Sequence, residues 1–342
     1  MKSHKDRIIS VLKWILMAAF AGILLFFAFR GVKWHDFVEG LRSCNFWWIG
    51  ASMTISILAI ILRGWRWRLL MLPLNKEIKR TEAYDGVTIA YLTNLALPRA
   101  GEFARCGVIA ATKKTSFEKV FGTVVFERSI DMLSYLAIAT LTLLINWSIF
   151  GTFVSGNFLA PLKDKFSVNF VSIVAIVGLI FIFTAILLYI YRKSLANNKF
   201  FAKIFSFING LFEGLKAGFK MQHKGKFWLY TLLINVCYWG MSMTTILALP
   251  SIGNLSALDA LFLMVVGSLG WIVPVQGGIG AYHLVISLTL ASLYGIAQTE
   301  GVIFATISHE SQILTMLICG CFSLLNQYFL KKHKTTHSTL EN

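Results

Sequence analysis

Long apolar runs, separated by short polar and mostly basic segments, dominate the pattern of this chain. A helix needs about 20 apolar residues to cross the hydrocarbon core of a bilayer. The pattern therefore predicts an all-α polytopic membrane protein. Six full spans are expected, at 10–29, 44–62, 120–148, 168–191, 227–249 and 302–330.

Two further apolar stretches, 86–112 and 257–297, are each interrupted by proline and glycine. The halves of the first stretch are too short to cross a bilayer separately. The stretch 86–112 predicts a re-entrant hairpin that enters from the cytoplasm and returns there. The stretch 257–297 is either a second hairpin or two short full spans. Together with the six full spans, these segments predict about eight transmembrane segments.

The distribution of Lys and Arg predicts the orientation. The chain has 32 of these residues but none between 227 and 330, and they cluster at 63–80, at 192–226 and in the tail after 330. Basic residues near a span resist translocation, so both termini are expected in the cytoplasm. Arg99, Arg105 and Arg128 are the three expected within the membrane. The formal net charge of +16 then indicates contact with anionic phospholipid headgroups, and no nucleic-acid partner is expected.

Two segments predict structure at the membrane surface. The segment 199–222 has apolar residues at helical spacing with Lys on the other face, which predicts an amphipathic helix in the cytoplasmic interface. The alternative is a connector helix packed on the bundle. Arginine alternates with tryptophan at the end of the second span, which predicts an interfacial anchor with its rings at headgroup level. The residues of this anchor are Arg63, Trp65, Arg66, Trp67 and Arg68.

The two interruptions share the pattern apolar-Pro-x-x-Gly. If one hairpin opens to the cytoplasm and the other to the outside, the chain is an inverted repeat whose broken helices line a site near the midplane. The alternative is that proline and glycine only kink two packed helices. The residues expected to form the hairpin tips and a gate are Pro98, Gly101, Pro274, Gly277, Gly278 and Gly280.

Six ionisable side chains lie beside the first interruption, in two groups. Arg99, Glu102 and Arg105 are spaced three apart, so they are expected to share a helix face, and Glu127, Arg128 and Asp131 follow on the third span. Charged groups in membrane segments usually face the bundle interior and mark a pathway. The groups predict a site for a lipid phosphate, because Arg binds phosphate bidentately. Alternatively, the six form ion pairs that hold the hairpin to the third span. Both arrangements can coexist.

The second half contributes Asp259, His283, His309 and Glu310. His309 and Glu310 are adjacent, so on a helix they point about 100° apart and are not expected to share a ligand easily. No metal-binding spacing is present. The sequence therefore predicts no metal site, no catalytic residue and no cofactor.

Four segments, in this order, resemble the lysylphosphatidylglycerol synthase transmembrane region, also called the flippase-like domain family: 63–68 (RGWRWR), 94–105 (NLALPRAGEFAR), 126–131 (FERSID) and 274–281 (PVQGGIGA). The resemblance implies a single integral membrane domain over 1–342, in the bacterial inner membrane, whose relatives move or present modified phospholipids. It also implies an aminoacyl-transferase domain in one branch, which this chain is expected to lack. Tyr282 and His283 stand where many relatives have a Glu.

The leading functional hypothesis is a translocase (flippase) for a phospholipid or another lipid phosphate. One alternative is a membrane enzyme that modifies a lipid headgroup, with Glu127, Asp131 or His309 as its acid–base groups. Another is a non-catalytic partner of a separate enzyme that modifies envelope lipids. The sequence contains no nucleotide-binding motif, so transport is expected to run downhill or on a gradient.

Overall fold

The computed structural model describes residues 4–112, 114–145, 147 and 199–340 of the 342 residues. Throughout these ranges the protein is helical, without strands. The predicted span 168–191 lies outside the described residues. The helices are α1 (His4–Phe29), α2 (Trp34–Arg42), α3 (Phe46–Met71), α4 (Arg80–Ala96), α5 (Gly101–Ala110), α6 (Phe117–Ile145), α7 (Lys199–Phe219), α8 (Lys224–Ala248), α9 (Ala257–Ile272), α10 (Ala281–Tyr294) and α11 (Gln298–Leu340).

Five of the described helical segments are long and apolar enough to cross a membrane, namely Phe46–Met71, Phe117–Ile145, Lys224–Ala248, Gln276–Tyr294 and Gln298–Phe329. A sixth is reached if Leu16–Phe29 and Trp34–Arg42, which meet at 85°, form one broken span. The chain is therefore an all-helical, multi-pass membrane protein. The predicted total of about eight segments and the cytoplasmic termini stay predictions.

The first interruption produces a hairpin of two helices. α4 ends at Ala96, and α5 begins at Gly101, after Pro98. The two helices run antiparallel, because Gly101 lies beside Ala90 and Gly86 lies beside Arg105. Gly101 allows this closure: its N–H donates to Oδ1 of Asn94 at 2.7 Å, and a Cβ there would collide with the carbonyl oxygen of Ala90.

The second interruption also reverses the chain. α9 has 16 residues and α10 has 14, with a short 3-10 turn, Gln276–Gly278, between them. Tyr282 packs on the bare backbone of Gly270, and the hydroxyl of Tyr294 donates to Asp259 at 2.9 Å near the open end. The turn lies beside Ile313, near the middle of the Gln298–Phe329 segment of α11. A re-entrant hairpin would have its tip at that depth, but Gln276–Tyr294 is also long enough to cross, so the choice between a hairpin and two full spans stays a prediction.

The hairpins approach α11 from opposite ends. Near the C-terminal end, Thr88 of α4 donates to Ser323 at 2.8 Å. Near the N-terminal end, the hydroxyls of Tyr282 (α10) and Ser308 lie 2.8 Å apart, and Gln298 donates to Ser287 at 3.1 Å. α11 is therefore the common wall of both hairpins, which open in opposite directions.

The two tips meet between these ends. Arg99, in the first tip, donates from its guanidinium to the carbonyl of Ile272 at the end of α9. A Cβ built on Gly277, in the second tip, would lie 3.1 Å from Leu95 Cδ2. This is the arrangement that the inverted-repeat hypothesis requires, although the symmetry itself stays a prediction.

The predicted amphipathic helix 199–222 corresponds closely to α7, which packs along α6. Gly210, Gly214 and Gly218 form the contact face. Small residues let helices in membranes approach closely, and a Cβ on Gly214 would lie only 2.7 Å from the Cα of Gly122. α7 therefore packs on the bundle, as in the alternative of a connector helix. A position in the lipid interface stays a prediction.

Candidate functional site

A network of buried charged side chains joins α3, α5 and α6. Arg63 and Arg66 lie three residues apart on α3 and share one face. The Nη2 atom of Arg66 contacts Oδ1 of Asp131 at 2.6 Å and Oε1 of Glu127 at 2.9 Å. Arg63 Nη2 reaches the same carboxylates, at 3.3 Å from Asp131 and 3.5 Å from Glu127. Two guanidinium groups of α3 therefore hold two carboxylates of α6.

Arg105 connects the first hairpin to this network. Its Nη1 atom donates to Oε2 of Glu127 at 2.7 Å, and its Nε atom lies 2.6 Å from Oε2 of Glu102 without the alignment of a hydrogen bond. The guanidinium also stacks over Trp67, 4.8 Å from the ring centroid. Glu127, fully buried, therefore bridges α3 and α5.

Arg128 forms the accessible edge of the network. Its Nη2 atom lies 3.3 Å from Asp131 and 3.4 Å from Glu127, and its Nε atom lies 3.7 Å from Glu102. The side chain is 41% exposed, whereas Arg63, Arg66 and Arg105 are buried. A ligand that reaches the network would meet Arg128 first.

Neutral side chains of α8 complete the enclosure. The Tyr238 hydroxyl accepts from Arg63 at 2.9 Å, and the Thr231 hydroxyl accepts from Arg66 at 3.3 Å. The ring of Phe227 lies 5.6 Å from the guanidinium carbon of Arg66. α8 therefore supports the arginines without adding negative charge.

The network has more positive charge and more donors than its described partners satisfy. Among the described residues, four guanidinium groups meet three carboxylates, which leaves one positive charge uncompensated within this part of the chain. Five of their nitrogens are buried and have no hydrogen-bond partner within the described ranges: Nε of Arg63, Nε of Arg66, Nε and Nη2 of Arg105, and Nε of Arg128. A buried donor without a partner is costly, and a lipid environment cannot satisfy it. The arrangement therefore suits a bound anion.

The structure brings together five of the six residues predicted for the headgroup site, namely Glu102, Arg105, Glu127, Arg128 and Asp131. Arg99 is the exception, because it does not share a helix face with Glu102 and Arg105 as predicted. It lies exposed in the tip, before α5 begins at Gly101, with φ +66°. Helical spacing does not extend across the break, so Arg99 points to α9 instead of joining Arg105.

The predicted interfacial anchor is also corrected. Arg63, Arg66 and Trp67 are buried, and Trp67 donates its indole N–H to Thr123 at 3.1 Å. These three side chains face the bundle because their partners on α6 are there. A signal was available: Arg63 and Arg66 share one helix face, as do Glu127 and Asp131.

Trp65 and Arg68 remain near the surface. Arg80 stacks on Trp65 at 5.1 Å, and Arg68 donates to the carbonyl of Ile78 at 2.6 Å. Together with His223, Lys226 and Tyr230 they line a surface pocket. Apart from Tyr230, the ionisable side chains of this pocket are Lys, Arg and His. An interfacial role for Trp65 and Arg68 stays a prediction.

The predicted gate residues form the two tips. Pro98 and Pro274 lie in the breaks, and Gly277, Gly278 and Gly280 have positive φ angles of 57°, 77° and 81°. Residues with a Cβ rarely adopt such angles. The glycines therefore allow the sharp reversal between α9 and α10.

Two residues of the second half meet contrary to expectation. Nδ1 of His309 lies 3.0 Å from Oε1 of Glu310, so the two side chains converge although their Cα–Cβ bonds diverge around the helix. The flexible Glu310 side chain folds back to reach the ring. Asp259 lies elsewhere and caps α9 through Ser256.

Comparison with known proteins agrees with this architecture. A family model described as the lysylphosphatidylglycerol synthase TM region matches residues 14–320, which confirms the resemblance. No curated protein gave a significant match. The match covers most of the chain and both hairpins. The chain therefore belongs to the lysylphosphatidylglycerol synthase transmembrane-region family, a membrane protein family with a lipid-related role.

Proposed function

We propose that this protein is a lipid translocase that binds the phosphate of a phospholipid, or of another lipid phosphate, at the arginine network. The uncompensated positive charge of that network, with its unpartnered guanidinium nitrogens, carries the proposal. A lipid phosphodiester has one negative charge and several acceptor oxygens. It would neutralise the site and satisfy its donors in a single step.

Arginine suits this ligand better than lysine would. A guanidinium group has five N–H donors in a fixed plane, which match two oxygens of one phosphate. Stacking of Arg105 on Trp67 and the ion pairs of Arg63 and Arg66 hold these planes in place. The orientation of these guanidinium planes would therefore change little on binding, while the exposed Arg128 would move to admit the phosphate.

The access route lies along the exposed face of α5 and α6. Arg128 and Glu102 are partly exposed there, and Phe103 beside them presents an exposed ring that stacks near Phe121, at 5.3 Å between ring centroids. An apolar flank next to a basic group fits an amphipathic ligand. The headgroup would reach Arg128 while the acyl chains stay in lipid.

Translocation would use the opposed hairpins. Their tips meet at Arg99 and Ile272, and they open toward opposite ends of α11. Small movements of one hairpin against the other could open the site to one side at a time. With Lys and Arg absent from 227–330, the charged first hairpin would face the cytoplasm and the second would face outside, in a protein of the inner membrane with both termini in the cytoplasm.

The same contacts support binding over catalysis. Glu127 accepts from Arg66 and Arg105, and Asp131 pairs with Arg66 at 2.6 Å. Each oxygen of these two carboxylates contacts a guanidinium group, so none is left free to bind a reacting headgroup. We infer that the protein is not an enzyme and that its partners are anionic phospholipids, together with a separate enzyme that modifies them.

Exchange of tail-labelled lipids between the leaflets of proteoliposomes tests the proposal. Fluorescent phosphatidylglycerol should become accessible to dithionite faster with the protein than in protein-free liposomes, and a labelled lipid without phosphate should not. Arg128→Gln removes one charged donor worth roughly 1.5–3 kcal/mol, so exchange should slow by about tenfold or more.

Lys119→Gln is the matched control. Lys119 lies on the same helix, is 40% exposed and pairs with a single carboxylate, that of Glu213 at 2.6 Å. Its loss removes the same charge outside the network and should leave exchange unchanged. The proposal fails if no phosphate lipid exchanges faster than in protein-free liposomes, or if Arg128→Gln and Lys119→Gln behave alike.

A further inference from the structure

Three metal-ligating side chains converge beside the tip of the second hairpin. One ligand atom each of His283, His309 and Glu310 lies within 4.8 Å of the other two. His283 is on α10, whereas His309 and Glu310 are on α11. The site is separate from the arginine network, and it forms only because the hairpin packs on α11.

The hydrogen bonds of His309 define its free nitrogen. Nε2 lies 2.8 Å from the carbonyl oxygen of Gly277, which can only accept, so Nε2 carries the proton. In the neutral ring Nδ1 then has a lone pair. That lone pair faces a carboxylate oxygen of Glu310 at 3.0 Å. Two acceptors at this distance repel each other unless a cation lies between them.

The bond to Gly277 is also what a metal-binding histidine makes. Such residues usually donate their second ring N–H to a backbone carbonyl or a carboxylate, which sets the tautomer and the ring orientation. Trp271 and Tyr282 fix the ring further, with centroids 5.0 and 5.3 Å from that of His309. His309 is therefore preorganised with Nδ1 toward Glu310.

His283 provides the third group. Its Nε2 atom lies 4.0 Å from Oε1 of Glu310, and its side chain is 4% exposed. Its Nδ1 atom is buried and has no hydrogen-bond partner in the described part of the chain. Nε2 is therefore the ring atom placed to join Glu310 in binding a ligand, because the two ring nitrogens point in diverging directions and Nδ1 does not face the carboxylate.

We propose that His283, His309 and Glu310 bind a divalent transition-metal ion of the Zn²⁺ class. Two imidazoles and one carboxylate are ligands that Zn²⁺ accepts, at about 2.0–2.2 Å, which places tetrahedral ligands about 3.4 Å apart. The two spacings to Glu310, 3.0 and 4.0 Å, bracket this value. All three ligand atoms lie within 4.8 Å of one another, so binding would draw the two imidazoles closer together. Nitrogen ligands disfavour Mg²⁺ and Ca²⁺, which prefer oxygen.

The metal site has an open position and a clear physical benefit. Glu310 is 51% exposed on a helix that can span the membrane, where an ionised carboxylate is costly. A bound dication would neutralise it. Three protein ligands leave a fourth position for water or for a phosphate or carboxylate oxygen. The ion would also hold the second hairpin against α11, because its ligand His309 donates to the carbonyl of Gly277 in the tip.

Metal binding by the purified full chain tests the site directly. After removal of any affinity tag and treatment with chelator, the protein in detergent is dialysed against buffered Zn²⁺, and bound zinc is measured by mass spectrometry. We expect one ion per chain. Co²⁺ in the same protein should give the intense visible absorption of a four-coordinate site.

Glu310→Gln and His283→Gln should each weaken Zn²⁺ affinity by more than about tenfold and abolish the Co²⁺ spectrum. His35→Gln is the control, since His35 is exposed and also lies near carboxylates, 3.6 Å from Glu39. Wild-type protein that binds no zinc would overturn the proposal, because a shared proton then explains the His309–Glu310 contact. Equal zinc binding by Glu310→Gln and His35→Gln would also overturn it.

Discussion

Replacing Glu127 by alanine should destabilise the folded protein by about 3–5 kcal/mol, because it leaves buried cationic partners without their carboxylate. Glu127 is fully buried and contacts Arg63, Arg66 and Arg105. No other carboxylate in the described ranges contacts all three. The free energy of unfolding, from denaturant titration in mixed micelles, measures the loss, and size-exclusion chromatography reports whether a folded fraction remains.

Glu213→Ala is the matched control for this prediction. Glu213 pairs with one basic side chain among the described residues, that of Lys119, and the two side chains are 56% and 40% exposed. Exposed ion pairs contribute only about 0–1 kcal/mol. If the two variants unfold at the same denaturant concentration, the buried network does not hold α3, α5 and α6 together.

Replacing Gly280 by alanine should be the second most damaging change. Gly280 has φ +81° and ψ −48° at the start of α10, a conformation that costs other residues about 1–3 kcal/mol. A Cβ there would also lie 2.7 Å from the carbonyl oxygen of Ala21 and 3.0 Å from the backbone nitrogen of Leu25. Backbone atoms of α1 cannot move aside without shifting that helix away from the second hairpin.

Gly295→Ala separates these two effects. Gly295 has φ +64° at the other end of α10, and a Cβ there would meet nothing within 4 Å. It should therefore show the conformational penalty alone. In thermal unfolding, the melting temperature of Gly280→Ala should be lower than that of Gly295→Ala. The difference should correspond to roughly 1–3 kcal/mol, the usual cost of overpacking. Equal losses would mean that α1 does not pack against the tip.

Helix positions could largely be predicted, because crossing a bilayer imposes a local rule on every span. The stretch 44–62 became part of α3, and 120–148 and 227–249 became α6 and α8. Helix ends were less predictable: α4 begins at Arg80, six residues before the apolar run, because its polar first turn is stabilised by Glu82 accepting from the Lys79 N–H at 2.8 Å.

The candidate site could be predicted only in part. The charges beside the first break were evident from the sequence, since ionisable groups stand out in apolar segments. Arg63 and Arg66 were assigned to the lipid surface because they lie at the end of a basic cluster next to tryptophan. Their true partners, Glu127 and Asp131, are more than 60 residues away. The shared helix faces indicate that each pair points one way, but no local pattern identifies the partner across that distance.

The sequence by itself determined that the chain lies in a membrane, that it is helical and that two of its apolar segments are broken. Each of these follows from the free energy of transferring side chains and backbone into lipid. Only the tertiary structure decided which buried groups meet. It moved Arg99 out of the network and Arg63 and Arg66 into it, and it placed His283 beside His309 and Glu310. Those contacts depend on how helices distant in sequence cross, and the crossing is set by close glycine contacts and by the balance of buried charge.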